Sequence, residues 1–126
     1  MNIPTDLRYS REHEWVRVNG SIARIGITDF AQDSLGDVVF VQLPEPDADI
    51  DGGATFGEVE STKSVSDVYA PVAGKVVVVN TDLTDAPQRL NEDPYGEGWI
   101  CVIEPSDPDA FAKLLDAEAY RALIAD

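Results

Sequence analysis

Across its 126 residues the chain has one cysteine, Cys101, one histidine, His13, and three lysines, Lys63, Lys75 and Lys113. A single thiol cannot close an intramolecular disulfide or build a paired-cysteine zinc or redox site. One imidazole cannot form a histidine cluster, so any histidine-based catalytic triad has only His13 to draw on. Basic residues are few altogether. Nine Lys+Arg stand against 24 Asp+Glu, a formal net charge of −15. So acidic a chain excludes nucleic-acid binding by phosphate neutralisation and docking on an anionic membrane. It suits partners with basic faces and encounters steered by charge. No apolar run approaches the length of a membrane-spanning helix. The first residues, Met1-Asn2-Ile3-Pro4-Thr5-Asp6, lack the basic and apolar regions of a signal peptide and the Arg-rich character of a transit peptide. The expected location is the cytoplasm of a prokaryote.

What is present fits one domain over residues 1–126: 44% hydrophobic and 26% charged residues, an ordinary globular balance. Glu14–Val18 and Ser21–Ile27 are β-favouring runs around Asn19-Gly20, a hairpin signal. Thr28 to Gly36 has a capping residue, apolar spacing at Phe30, Ala31 and Leu35, and a terminating glycine, so a short helix is predicted. Val38–Val41 reads as a buried strand stopped by Pro44 and Pro46. Asp47–Gly53 reads as an acidic loop. Thr55–Glu60 and Val65–Ala70 read as strands around Ser61-Thr62-Lys63-Ser64. Lys75–Val79 is too β-branched to prefer helix. Asn80–Pro94 is irregular with room for one helical turn, Gly98–Ile103 is the last strand, and Ser106 to Asp126 is helical, with a second start at Asp116. The segment Gly74–Asn80 faintly echoes Gly20–Thr28. Six or seven short strands between Gly/Pro turns predict a mainly β sandwich or flattened barrel.

Lys63 is the lysine placed for chemistry. At a hairpin tip its amine projects from the sheet, small neighbours Ser61, Thr62 and Ser64 leave the approach open, and Glu58, Glu60 and Asp67 surround it. Composition and spacing alone favour a solvated lysine on an acidic face. Cys101 alternates within an apolar strand and reads as an inert core thiol. His13 reads as structural, Trp15 and Trp99 as core or rim aromatics, and Asn91–Gly98 as an ordered surface loop open to a docking role. Asp47, Asp49 and Asp51 alternate like calcium ligands but lack the required glycine and final bidentate glutamate.

Glu60-Ser61-Thr62-Lys63 resembles the lipoyl-lysine hairpin of the glycine cleavage system H protein family. His13-Glu14-Trp15, Gly26-Ile27-Thr28-Asp29, Ala31-Gln32, Leu35-Gly36-Asp37, Leu43-Pro44-Glu45, Asn91, Asp93-Pro94-Tyr95-Gly96 and Gly98-Trp99 are similar to that family in order, from about Leu7 to Tyr120. The resemblance implies a lipoyl-domain-like β-sandwich (a barrel-sandwich hybrid) with a core over about 7–104 and C-terminal helices over about 106–125. It implies lipoate covalently bound through Lys63. The chain would then be a carrier and not an enzyme, shuttling the aminomethyl group of glycine. Glycine decarboxylase would load the arm, an aminomethyltransferase would unload it, and dihydrolipoamide dehydrogenase would reoxidise the dithiol. A lipoate ligase or an octanoyltransferase would attach the group. It further implies that the loaded arm folds into a surface cleft lined by Glu14 and Asp67. No metal is implied.

Competing carriers fit less well. Biotin carriers resemble Met-Lys-Met at the modified site, and no Met flanks Lys63. Lipoyl domains of the 2-oxo acid dehydrogenases usually show Asp-Lys-Ala and lack the His-Glu-Trp and Pro-Tyr-Gly pieces. An H-like lipoyl relay or interaction module outside glycine cleavage is the remaining alternative.

Overall fold

The computed structural model describes residues 1–125, so the expected end of the domain at Asp126 lies outside the described residues. Among the described residues nine strands and four α-helices follow one another. Strands β1 (Arg8–Tyr9), β2 (Glu14–Asn19), β3 (Ile22–Ile27), β5 (Asp49–Ile50), β8 (Gly74–Val79) and β9 (Cys101–Pro105) form one antiparallel sheet in the order β1-β2-β3-β9-β8-β5. Strands β4 (Val38–Gln42), β6 (Thr55–Ser61) and β7 (Val65–Tyr69) form a second sheet in the order β4-β6-β7. The expected β-sandwich is therefore present. Its main core joins Val16, Ile25, Val76 and Ile103 of the first sheet to Val41, Val59 and Val68 of the second.

The first hairpin forms where predicted, but its turn is centred on Gly20-Ser21. Asn19 pairs with Ile22, and Gly20 takes a φ of 64°, a left-handed conformation open to glycine at little cost. Thr28 then caps α1 (Asp29–Leu35) by accepting a hydrogen bond from the Ala31 N–H. Several expectations are corrected. β4 is only half buried: Val38 and Val41 face the core while Val39 and Phe40 are exposed, because a bulge between Val38 and Phe40 shifts the register. The Asp47–Gly53 segment is not wholly loop, since Asp49–Ile50 adds β5 to the edge of β8. The last strand starts at Cys101, not Gly98; Gly98 closes a turn onto the Asp93 carbonyl instead. Asn80–Pro94 contains two short helices, α2 (Asp82–Asp85) and α3 (Arg89–Glu92). The two segments with the faint echo, now β3 and β8, flank β9 on opposite sides.

The C-terminal extension divides as its capping residues dictate. Asp107 caps a 3-10 turn over Pro108–Lys113, and Asp116 caps α4 (Ala117–Ile124). The chain between them is extended, and Leu115 pairs with Tyr9 of β1. A second apolar cluster of Ile3, Leu7, Tyr9, Trp15, Tyr95, Ala117 and Tyr120 fastens this extension to the sheet. Tyr9 and Tyr120 stack with ring centroids 4.6 Å apart. The Tyr120 hydroxyl shares hydrogen bonds with Thr28 Oγ1 at 2.7 Å and His13 Nδ1 at 2.8 Å.

Candidate functional site

The β6–β7 hairpin presents Lys63 at its tip, and the tip is knotted by Ser61. The buried Ser61 Oγ accepts hydrogen bonds from the Lys63 and Ser64 N–H groups at 3.2 and 3.1 Å. The Ser61 N–H donates to the Ser64 carbonyl at 2.8 Å. Thr62 then anchors the tip to the link between α1 and β4 by donating its N–H to the Asp37 carbonyl at 3.1 Å. Lys63 itself is exposed. None of the ion pairs among the described residues involves its amine, so a modifying enzyme breaks no salt bridge to reach it.

The platform beside the tip is held by Asn91. Its Oδ1 accepts from the Val38 N–H at 2.8 Å, and its Nδ2 donates to the Gly36 carbonyl at 2.8 Å and to Gln32 Oε1 at 3.1 Å. The segment Asn91–Gly98 is thus an internal brace. The Trp15 indole N–H donates to the Pro94 carbonyl at 2.9 Å, and the Tyr95 hydroxyl accepts from the Asp29 N–H at 3.0 Å.

A cleft of about 290 Å³ lies between α1 and β7, and both Glu14 and Asp67 line it. Its apolar wall includes Phe30, Leu35, Val59 and Val68, and Ser64, Val65 and Ser66 carry it up to the Lys63 tip. The two carboxylates hold different stations. Glu14 is 2% exposed and forms the wall between this cleft and a larger recess of about 600 Å³ on its other side, toward Tyr9, Arg11 and Lys113. The larger recess includes no residue of the Lys63 tip, so the smaller cleft is the one a Lys63-borne chain can enter. Asp67 is exposed at the rim; it pairs with Glu58 across the sheet.

Glu14 reaches its buried station through a sharp turn at His13, whose φ is 72°. The Ser10 hydroxyl donates to Glu14 Oε1 at 2.6 Å, and the Tyr69 N–H approaches Oε2 at 3.5 Å. Burial raises the Glu14 carboxyl from 4.5 to about 8, against the partial opposition of the Ser10 and Tyr69 hydrogen bonds. A buried carboxyl without a cation prefers the neutral form. His13 is structural as expected: its ring packs on Phe30 at 4.7 Å, and burial lowers its pKa. Cys101 is buried and its thiol is pushed up to about 12 by desolvation, which removes thiolate chemistry at neutral pH. Among the described residues no group of three or more His, Cys, Asp or Glu side chains is arranged to hold a metal. Sequence reasoning missed Ser10 and Phe30 as parts of this site. Glu12 and Phe30 line the cleft, and Ser10 orients Glu14; only Ser10's position four residues before Glu14 hinted at such a pair.

The residues fit a long apolar arm ending in a cation: an exposed lysine, an apolar groove at its foot, and carboxyls from Glu12, Glu14 and Asp67 around that groove. Comparison with known proteins agrees. The family model described as Glycine cleavage H-protein matches residues 7–126. A glycine cleavage system H protein of Anaeromyxobacter sp. (strain K) is 57% identical over 124 residues, covering 98% of this chain and 97% of the relative. That of Mycobacterium avium (strain 104) is 58% identical over 130 residues, covering 99% and 98%. That of Bacillus subtilis (strain 168) is 57% identical over 123 residues, covering 98% and 97%. The crystal structure of the H protein from Mycobacterium marinum superposes with a TM-score of 0.87 at 44% identity, covering 95% of this chain and 97% of that one. With the family model spanning all but the first six residues, this chain belongs to the glycine cleavage H-protein family.

Proposed function

We propose that Lys63 carries lipoate in amide linkage and that the chain works as the non-enzymatic carrier among the components of glycine cleavage. The observation that supports this most is the unpaired, exposed Lys63 on a tip knotted by Ser61, directly beside a cleft holding a buried carboxyl. When bound, the lipoyl group supplies a redox-active disulfide and the thiol that bears the one-carbon unit. The protein's own residues do the rest. Ser61 and Thr62 hold the tip rigid, so the lysine stem is the moving part. Phe30, Leu35, Val59 and Val68 shelter an apolar chain from water. Glu14 receives the cationic amine carried in glycine cleavage. A positive charge arriving beside a neutral buried carboxyl draws it to the ionised form, and the pair then shares a charge-assisted hydrogen bond. Asp67 adds attraction at the rim, where solvent screens it.

The partners in this reading are glycine decarboxylase, the aminomethyltransferase, dihydrolipoamide dehydrogenase, and the ligase or octanoyltransferase that attaches the group. We place the chain in the bacterial cytoplasm, since the relatives it matches are bacterial. The test is glycine-dependent release of CO2 by purified decarboxylase. The lipoylated chain should support turnover, and the Lys63→Arg chain should leave only background. Equal turnover with Lys63→Arg would end the proposal.

A further inference from the structure

The outer face of the three-stranded sheet carries an apolar row next to the tip. Phe40 of β4 lies opposite Glu60 of β6, which lies opposite Val65 of β7. Directly opposed residues point to the same face, and this one faces water: Phe40 is 50% exposed and Val65 59%. Val39, at the neighbouring bulge, is 51% exposed. Large apolar side chains grouped in solvent mark contact surfaces when polar residues rim them. The rim here is of one sign. Between Arg24 and Lys75 the sequence has ten Asp and Glu and a single basic residue, Lys63. Asp37, Glu58, Glu60 and Asp67 surround the row, all but the half-buried Glu58 exposed.

The reach of the lysine selects the occupant. An enzyme that acylates Lys63 works at Nζ, four methylenes from the backbone, so it must cover the hairpin and the sheet rows next to it. An enzyme served by the finished arm acts at the far end of an eight-carbon acyl extension and can stand away from the sheet. We propose that Val39, Phe40 and Val65 are the docking surface for the lysine-acylating enzyme, which meets them with an apolar recess rimmed by arginine or lysine side chains. This rests on the reading of Lys63 as the acylated residue. The step served is amide formation from an acyl adenylate. The Nζ–carbonyl bond forms and the carbonyl–oxygen bond to phosphate breaks. AMP leaves with that bond's electron pair, and the ammonium gives up two protons. Acylation also erases the only cation of this sheet, so the product presents a purely acidic rim around the same apolar row.

The experiment uses unmodified chain, a purified lipoate–protein ligase, lipoate and ATP, with initial rates followed by intact mass. Replacing a half-exposed aromatic anchor is expected to raise KM about tenfold. Phe40→Thr should do so with kcat within twofold of the parent; Val65→Thr and Val39→Thr should raise KM less. Val78→Thr, an equally exposed valine (47%) on the other sheet, should leave KM unchanged. A Phe40→Thr KM within twofold of the parent, or an equal rise with Val78→Thr, overturns the proposal. Lys63→Arg in the same assay separates the two readings. Acyl mass on Lys63→Arg means the modified residue is misassigned, whereas an unmodified Lys63→Arg with normal Phe40→Thr kinetics removes only the docking surface.

Discussion

The stem of Lys63 lies across Gly36. A Cβ built on Gly36 would stand 2.9 Å from Lys63 Cε, and Gly36 takes a φ of 81° with ψ −159°. That backbone region is open essentially to glycine alone and costs other residues of the order of 1–3 kcal/mol. One residue therefore ends α1, accepts the Asn91 brace through its carbonyl and leaves a bare surface under the lysine.

Gly36→Ala should destabilise the fold by about 2 kcal/mol, from the backbone rather than from crowding, because the far end of a lysine stem can move aside. At this chain length that corresponds to a fall in Tm of roughly 5–12 °C. Thermal unfolding monitored by circular dichroism measures it. An unchanged Tm would show that the helix end relaxes without strain.

Glu14 should give the fold a pH dependence of unusual sign for a carboxyl. Burial raises its pKa from 4.5 to about 8, so between those values the folded chain keeps a proton that the unfolded chain has released. Stability then falls as pH rises. The contribution is complete below about 4.5 and gone once pH passes about 8. His13 acts in the opposite direction below 6.5, since its folded pKa is lowered; Glu12 faces the same cleft and also raises the Glu14 pKa. The Glu14 effect is thus cleanest from pH 6.5 to 8.5. Over that span the parent's Tm should drop relative to Glu14→Gln by several degrees. Parallel curves would mean that Glu14 is ionised in the folded protein.

The two cleft carboxylates should protect the loaded arm unequally. Loss of the amine to water releases the one-carbon unit, and a buried acceptor holds a cation better than an exposed one. With no transferase present, loaded Glu14→Ala is expected to decay about tenfold faster than the parent and Asp67→Ala about twofold faster. Release of formaldehyde with time is the readout. Decay at the parental rate in both variants would reduce these side chains to surface charge.

Much of this was legible in the chain. Thr28 and Gly36 bracket α1 because capping chemistry is local, and Asp107 and Asp116 start the two terminal helical segments for the same reason. The place of Lys63 at a hairpin tip was legible because two strand-like runs flank Ser61-Thr62-Lys63-Ser64, whereas its role came only from the family resemblance. What stayed hidden depends on distant partners. The two-residue strand β1 exists only because β2 and Leu115 are there to pair with it. Asn91 looked like loop because its three hydrogen bonds go to residues more than fifty positions away. Val39 and Phe40 looked buried in an apolar run because a bulge cannot be read from hydropathy. The burial of Glu14 depends partly on β7, whose Tyr69 lies 55 positions away, and no local pattern encodes that.

The central claim is tested most directly by peptide mapping of the intact chain after expression with lipoate. The account predicts one lipoyl group per chain, on the peptide bearing Lys63, and no mass increase in Lys63→Arg. Lipoate found on Lys75 or Lys113, or retained by Lys63→Arg, would contradict it.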